Sequence, residues 1–124
     1  MNPKSQPTSE ELRQNLRHVL KRCSAATIEA ALRFQETRDP AEVEPIILGL
    51  LAREIPEEKA SDIATAFGET RLIEDLGLDS LGFMEAVMAA EEVFGVVIDN
   101  QDLRRITTLD QLYGFVKEKV SSST

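Results

Sequence analysis

The chain has 124 residues, a formal net charge of −8, 42% hydrophobic residues and 5% aromatics. That length allows one small domain with an appendage, and a core drawn from Leu, Ile, Val, Ala and Met suits packed helices, so an all-α fold is expected. The charge is uneven: residues 1–39 carry seven Lys or Arg against five Asp or Glu, leaving seven against seventeen from residue 40 onward. Such a surface repels phosphates, which argues against nucleic acid, and steers association toward proteins with basic patches.

Cys23 stands alone, so an internal disulfide is excluded, and no CxxC pair or Cys/His cluster points to a metal. With neither a secretory apolar region nor a run of about 18 apolar residues, the expected location is cytoplasmic, without membrane insertion.

In chain order, Thr8-Ser9-Glu10-Glu11 is a capping box ahead of an apolar series at Leu12, Leu16, Val19, Leu20, Cys23, Ile28, Ala31 and Phe34. The spacings near three and four predict one amphipathic helix or two. Ser24 to Thr27 leaves that choice open, because such residues are mediocre in helix interiors without forbidding them. Asp39-Pro40 and Glu44-Pro45 mark a boundary, since a residue before proline is pushed from the α region and proline suits a first helical turn. The expected division is residues 1–39 as an N-terminal helical extension, 40–120 as the main domain and 121–124 as a frayed tail.

Ile46, Ile47, Leu50 and Leu51 form the face of the next helix, ended by Ile55-Pro56 and slightly weakened by Gly49. The long connection that follows holds Ile63, Ala64 and Phe67, enough for a short helix. Leu81 to Phe94 is the clearest helix: Leu81, Met84, Val87, Met88 and Phe94 point one way, with Met84 either exposed or turned inward, while Glu85, Glu91 and Glu92 point toward solvent and Gly95 is its stop. Val96-Val97-Ile98 reads as a buried extended linker, because a lone strand is not stable. Asn100 to Arg105 suits one helical turn. Thr108-Leu109-Asp110-Gln111 is a capping box that opens a last helix bearing Leu112, Phe115, Val116 and Val120.

The informative stretch is Leu72-Ile73-Glu74-Asp75-Leu76-Gly77-Leu78-Asp79-Ser80-Leu81, which places Ser80 at a loop-to-helix junction. Position alone makes a serine there an N-cap and Asp79 a helix-start carboxylate. The context says more. Asp79-Ser80-Leu81, with the apolar helix before it, the long loop, Glu85 to Gly95 after it, Ile98 and Ile106-Thr107-Thr108-Leu109, resembles the acyl carrier protein family over about residues 44–120.

The resemblance implies an acyl-carrier-like four-helix bundle preceded by one or two extra amphipathic helices, with 4′-phosphopantetheine from coenzyme A esterified to Ser80 beside Leu81. It makes Asp79 a recognition residue for the phosphopantetheinyl transferase, whose own reaction uses magnesium. It also implies that the acidic helix is read by loading, synthase or acyltransferase enzymes with basic docking patches, through Glu85, Glu91 and Glu92 with Met84 as the apolar contact; Phe83, which departs from the family's pattern, is either a docking knob beside Ser80 or a core residue. Ile73, Ala86, Ala90, Ile98, Leu103, Ile106 and Phe115 occupy positions resembling an acyl pocket, although ordinary core packing accounts for them equally.

Three departures argue for a specialised lipid or secondary-metabolite pathway: the extra first forty residues, Gly82-Phe83 after the motif, and the basic Arg104-Arg105. The extension is expected to cap the core of a monomeric protein, with dimerisation as the rival. Other functional readings are an aminoacyl or peptidyl carrier and an unmodified helical interaction module. A hydrolase is rejected: Ser80 lacks the G-x-S-x-G elbow, and His18 belongs to a helix surface. The expected protein is therefore a carrier and no enzyme.

Overall fold

The computed structural model describes residues 9–59, 66 and 68–122. Six α-helices lie among them: α1 (Ser9–Val19), α2 (Ala25–Thr37), α3 (Val43–Ala52), α4 (Ser80–Phe94), α5 (Asn100–Leu103) and α6 (Leu109–Ser122). Single 3-10 turns occur at Pro40–Glu42 and Glu57–Lys59. The fold is all-α. Among the described residues the sole bridge of β type joins Arg71 to Thr108, and no helix is long and apolar enough to cross a membrane. Thr8, the short helix expected around Ile63, Ala64 and Phe67, and the last two residues of the tail lie outside the described residues.

The N-terminal stripe folds as two helices. Ser24 is the break: extended at φ −69° and ψ 162°, it accepts a hydrogen bond from the Thr27 N–H through its side chain and so caps α2. Leu16 and Leu20 from α1 and Ala30, Ala31 and Phe34 from α2 join Val43, Ile46, Ile47, Leu50 and Leu51 of α3 in one continuous apolar core with the later helices. Residues on both sides of position 39 thus share one interior. Phe34 meets Phe94 edge to face at 5.1 Å between ring centroids, a favoured aromatic geometry.

Gly49 allows α2 to approach α3 closely. A Cβ built there would overlap the buried Thr27 side chain, standing 2.8 Å from Thr27 Cβ. The far end of α2 is tied as firmly: Arg38, left-handed at φ 56°, donates from its backbone to Phe34 O. Its guanidinium lies 4.7 Å over the Phe34 ring and donates to Phe94 O at 3.3 Å.

The last helix starts as its capping box predicts. The Gln111 N–H donates to Thr108 Oγ1 at 3.3 Å, and Gln111 Oε1 accepts from the Thr107 and Thr108 N–H groups at 2.7 and 3.1 Å. α6 then runs through Ser122, so helix occupies the first two positions assigned to a frayed tail. The linker after α4 alternates: Val96 and Ile98 are buried, but Val97 is 77% exposed, which corrects the expectation of a wholly buried segment.

Candidate functional site

The site is a serine on a braced junction. Leu72, Leu76 and Leu78 of the approach loop are buried, and the loop closes on itself through Asp75 N to Arg71 O at 3.0 Å and Gly77 N to Ile73 O at 3.1 Å. Asp75 Oδ2 accepts from the Arg71 N–H at 2.8 Å. That bond, reinforced by the Arg71 side chain, holds the Asp75 carboxyl below the usual range. The loop is also tied to the start of α6, with Leu72 N donating to Thr107 O at 2.9 Å and Leu109 N to Thr70 O at 3.0 Å.

Ser80 is the first residue of α4, and the cap is Asp79, whose side chain accepts from the Gly82 N–H at 2.7 Å. Capping therefore falls to the aspartate. The serine, exposed, is left as a hydroxyl at the positive end of a fifteen-residue helix. Gly82 follows for a steric reason, since a Cβ there would stand 3.3 Å from Glu54 Cβ and 3.1 Å from Asp79 Oδ1.

The helix presents a different face from the one read in the sequence. Ala86, Val87, Ala89, Ala90, Val93 and Phe94 are buried, whereas Leu81 is 68% and Met88 60% exposed, with Met84 also in solvent. Leu81, Met84 and Met88 thus do not share a face with the buried Val87 and Phe94 as expected, and Met84 takes the exposed one of its two alternatives. Small alanines take the core side because α1, α2 and α3 all pack closely there. Leu81, Met84, Glu85, Met88 and Glu92 instead form one exposed stripe, at spacings of three and four, running away from Ser80. Met88 was missed as a surface residue, although its place in that spacing was readable.

The three glutamates divide. Glu92 is exposed, but Glu91 is half-buried and accepts from the Ile98 N–H at 2.7 Å, fastening the linker to α4. Its expected turn to solvent is corrected. Glu85, exposed, faces Glu54 at the end of α3. Burial first, then hydrogen bonding and repulsion from Glu85, push the Glu54 carboxyl up, against Arg22 and Arg53, which pull it down from 3.0 and 3.3 Å.

Ala86, Ala90 and Ile98 border an interior cleft with Phe83, Ile47, Leu50, Leu51, Val87 and Leu112, whose free volume is about 10 Å³. Leu103 and Ile106 are buried in the same core without lining the cleft, and Phe115, half-buried, packs against that core. Ile73 stands apart from the cleft, 54% exposed. It lines a surface groove of about 260 Å³ with Phe83, Ile106, Arg71 and Thr107. Phe83, half-buried, is the side chain common to cleft and groove.

Cys23 and His18 lie off this site. The thiol is half-buried 3.7 Å from Gly49 O, and burial pushes it up. His18 is exposed in the last turn of α1.

A family model described as "Phosphopantetheine attachment site" matches residues 47–116, more than half of the chain. The chain is 36% identical over 66 residues to the acyl carrier protein of Thermotoga maritima, spanning 53% of this chain and 82% of that one. It is 41% identical over 51 residues to that of Nitratidesulfovibrio vulgaris (41% and 67%) and 34% over 58 residues to that of Desulforapulum autotrophicum (47% and 75%). The matched region includes the second part of α3, the loop, α4, α5 and the first part of α6, whereas α1 and α2 lie before it. Proteins of this kind carry a covalently attached 4′-phosphopantetheine, serve as carriers rather than catalysts, and interact with phosphopantetheinyl transferases and with synthases or acyltransferases. The exposed serine hydroxyl, freed from capping by Asp79, fits such an attachment. The chain belongs to the acyl carrier protein family and carries a covalent 4′-phosphopantetheine.

Proposed function

We propose that Ser80 bears the phosphopantetheine and that the protein shuttles an acyl intermediate in a specialised lipid or secondary-metabolite pathway, catalysing nothing itself. The observation that carries this reading is the division of labour at the junction: Asp79 caps α4, so the exposed Ser80 hydroxyl is dispensable to the fold. A phosphodiester at that place lies where the first-turn N–H groups and the helix dipole favour an anion. The bound group supplies a flexible arm ending in a thiol, which holds cargo as a thioester. Asp79, beside the hydroxyl, serves recognition by the transferase. Leu81, Met84, Glu85 and Glu92 give partner enzymes an apolar and acidic face, and their electrostatics favour quick encounter over tight binding.

Ala86, Ala90 and Ile98, with Ile106, Leu103 and Phe115 of the same core, are the side chains that would part to admit an acyl chain. The closed cleft of about 10 Å³ also favours a second reading, an aminoacyl or peptidyl carrier whose cargo stays outside. Transfer of octanoyl-phosphopantetheine from octanoyl-coenzyme A by a phosphopantetheinyl transferase, with release of adenosine 3′,5′-bisphosphate, followed by methyl NMR, separates the two. Under the acyl reading the methyl signals of Ala86, Ala90 and Ile98 shift relative to the arm without cargo. Unmoved interior methyls would favour the external cargo.

A further inference from the structure

A depression of about 730 Å³ lies between α4 and the connection from α1 to α2. One wall is acidic, with Glu85 and Glu92; the other is basic, with Lys21 and Arg22; Val19, Met88, Ala89, Val96 and Val97 supply apolar surface. Met88 and Val97 are mostly exposed, and large apolar side chains left in water among charges mark interaction surfaces.

The basic wall is built into the fold. Arg22 is held at 3.0 Å by Glu54, whose side chain is only 7% exposed. Arg53, largely buried, donates to Val19 O at 2.7 Å and meets Glu54 at 3.3 Å, so the end of α1 is pinned to the end of α3. Leu16 and Leu20 are fully buried just before the turn. The groove is lined by three cations (Lys21, Arg22, Arg53) and four glutamates (Glu54, Glu85, Glu91, Glu92), and the Glu91 carboxylate is engaged by the Ile98 N–H. Near balance here contrasts with the strong negative charge of residues 40–124.

We propose that α4 and the α1–α2 connection together form a two-walled docking groove for a partner protein whose contacting segment is an amphipathic helix of mixed charge. Its apolar face meets Met88 and Val97, its acidic flank meets Lys21 and Arg22, and its basic flank meets Glu85 and Glu92. A contacting surface that is basic throughout brings like charges against Lys21 and Arg22, so the extension selects against it. The purpose assigned to this groove rests on the carrier reading, but its binding chemistry does not depend on Ser80.

Two helical peptides with the same apolar face serve as probes, one flanked by lysines only, the other by glutamates on one side and lysines on the other. They are titrated into the full chain, unmodified, with NMR shifts followed at Val19, Met88, Ala89 and Val97. The mixed peptide is expected to bind the wild type at least about threefold more tightly at low ionic strength, and Lys21→Gln/Arg22→Gln to abolish or reverse that preference. Lys21→Gln alone, which leaves the Arg22–Glu54 pair intact, is expected to move it part of the way. Equal or tighter binding of the all-lysine peptide by the wild type, an unchanged preference in both variants, or shifts outside the groove would each overturn the proposal. None of these results bears on whether Ser80 accepts phosphopantetheine, which is read separately by mass.

Discussion

Asp79 holds α4 open for chemistry by doing what a helix-start serine ordinarily does. Its carboxylate takes the Gly82 N–H at 2.7 Å, so Asp79→Ala is expected to lower stability by about 1 kcal/mol in urea titrations, whereas Ser80→Ala is expected to change it little. Asp79→Asn keeps a capping oxygen. If Asp79 also serves transferase recognition, that variant will fold normally and still be modified more slowly. Asp75 gives the loop a pH dependence of known sign. Its carboxyl is held low in the folded protein by the Arg71 N–H, so its contribution is complete above the ordinary aspartate range and disappears as pH falls through the lowered value. Asp75→Asn should therefore lower stability at neutral pH and flatten the acid limb of the profile below about pH 4, where variant and wild type converge.

At the scale of elements, the contact between α2 and α3 depends on a missing side chain. Replacing glycine by alanine in an open helix interior adds about 1 kcal/mol of stability; at Gly49 the new methyl meets Thr27, and overpacking costs about 1–3 kcal/mol. Gly49→Ala is accordingly expected to destabilise, and Thr27→Ala to recover part of the loss in the double variant. A Gly49→Ala protein that gains stability would show that α2 does not sit on α3. Cap chemistry was readable in the sequence, as Thr108 and Gln111 show, because capping is local. The orientation of α4 was not. Leu81, Met84 and Met88 look like part of an apolar stripe with Val87 and Phe94, and the packing of α1, α2 and α3 against the alanine face explains why small residues turn inward. Gly49, likewise, read as a weak point in a helix until a partner for it was known.

Across the whole molecule, the extension and the family region unfold as one unit if the shared core governs stability. Phe34→Ala, removing the α2 ring that meets Phe94, is expected to cost about 3–5 kcal/mol, seen as a single transition at lower urea for probes on α2 and on α6 alike. The Asp79-Ser80-Leu81 motif could be read because its three residues are adjacent in the chain, and the attachment proposed at Ser80 rests on them. The basic wall at Lys21 and Arg22 was invisible, since nothing in their spacing says that some sixty residues later Glu85 and Glu92 line the same depression. The charge imbalance between the two parts of the chain was its one trace.

The most direct test of the account is peptide mapping by mass spectrometry after the full chain is incubated with coenzyme A and a broad-specificity phosphopantetheinyl transferase. The account predicts one phosphopantetheine per chain, on the peptide containing Ser80, and none on Ser80→Ala. Folded protein left unmodified by several such transferases, or a group found on another residue, would contradict it.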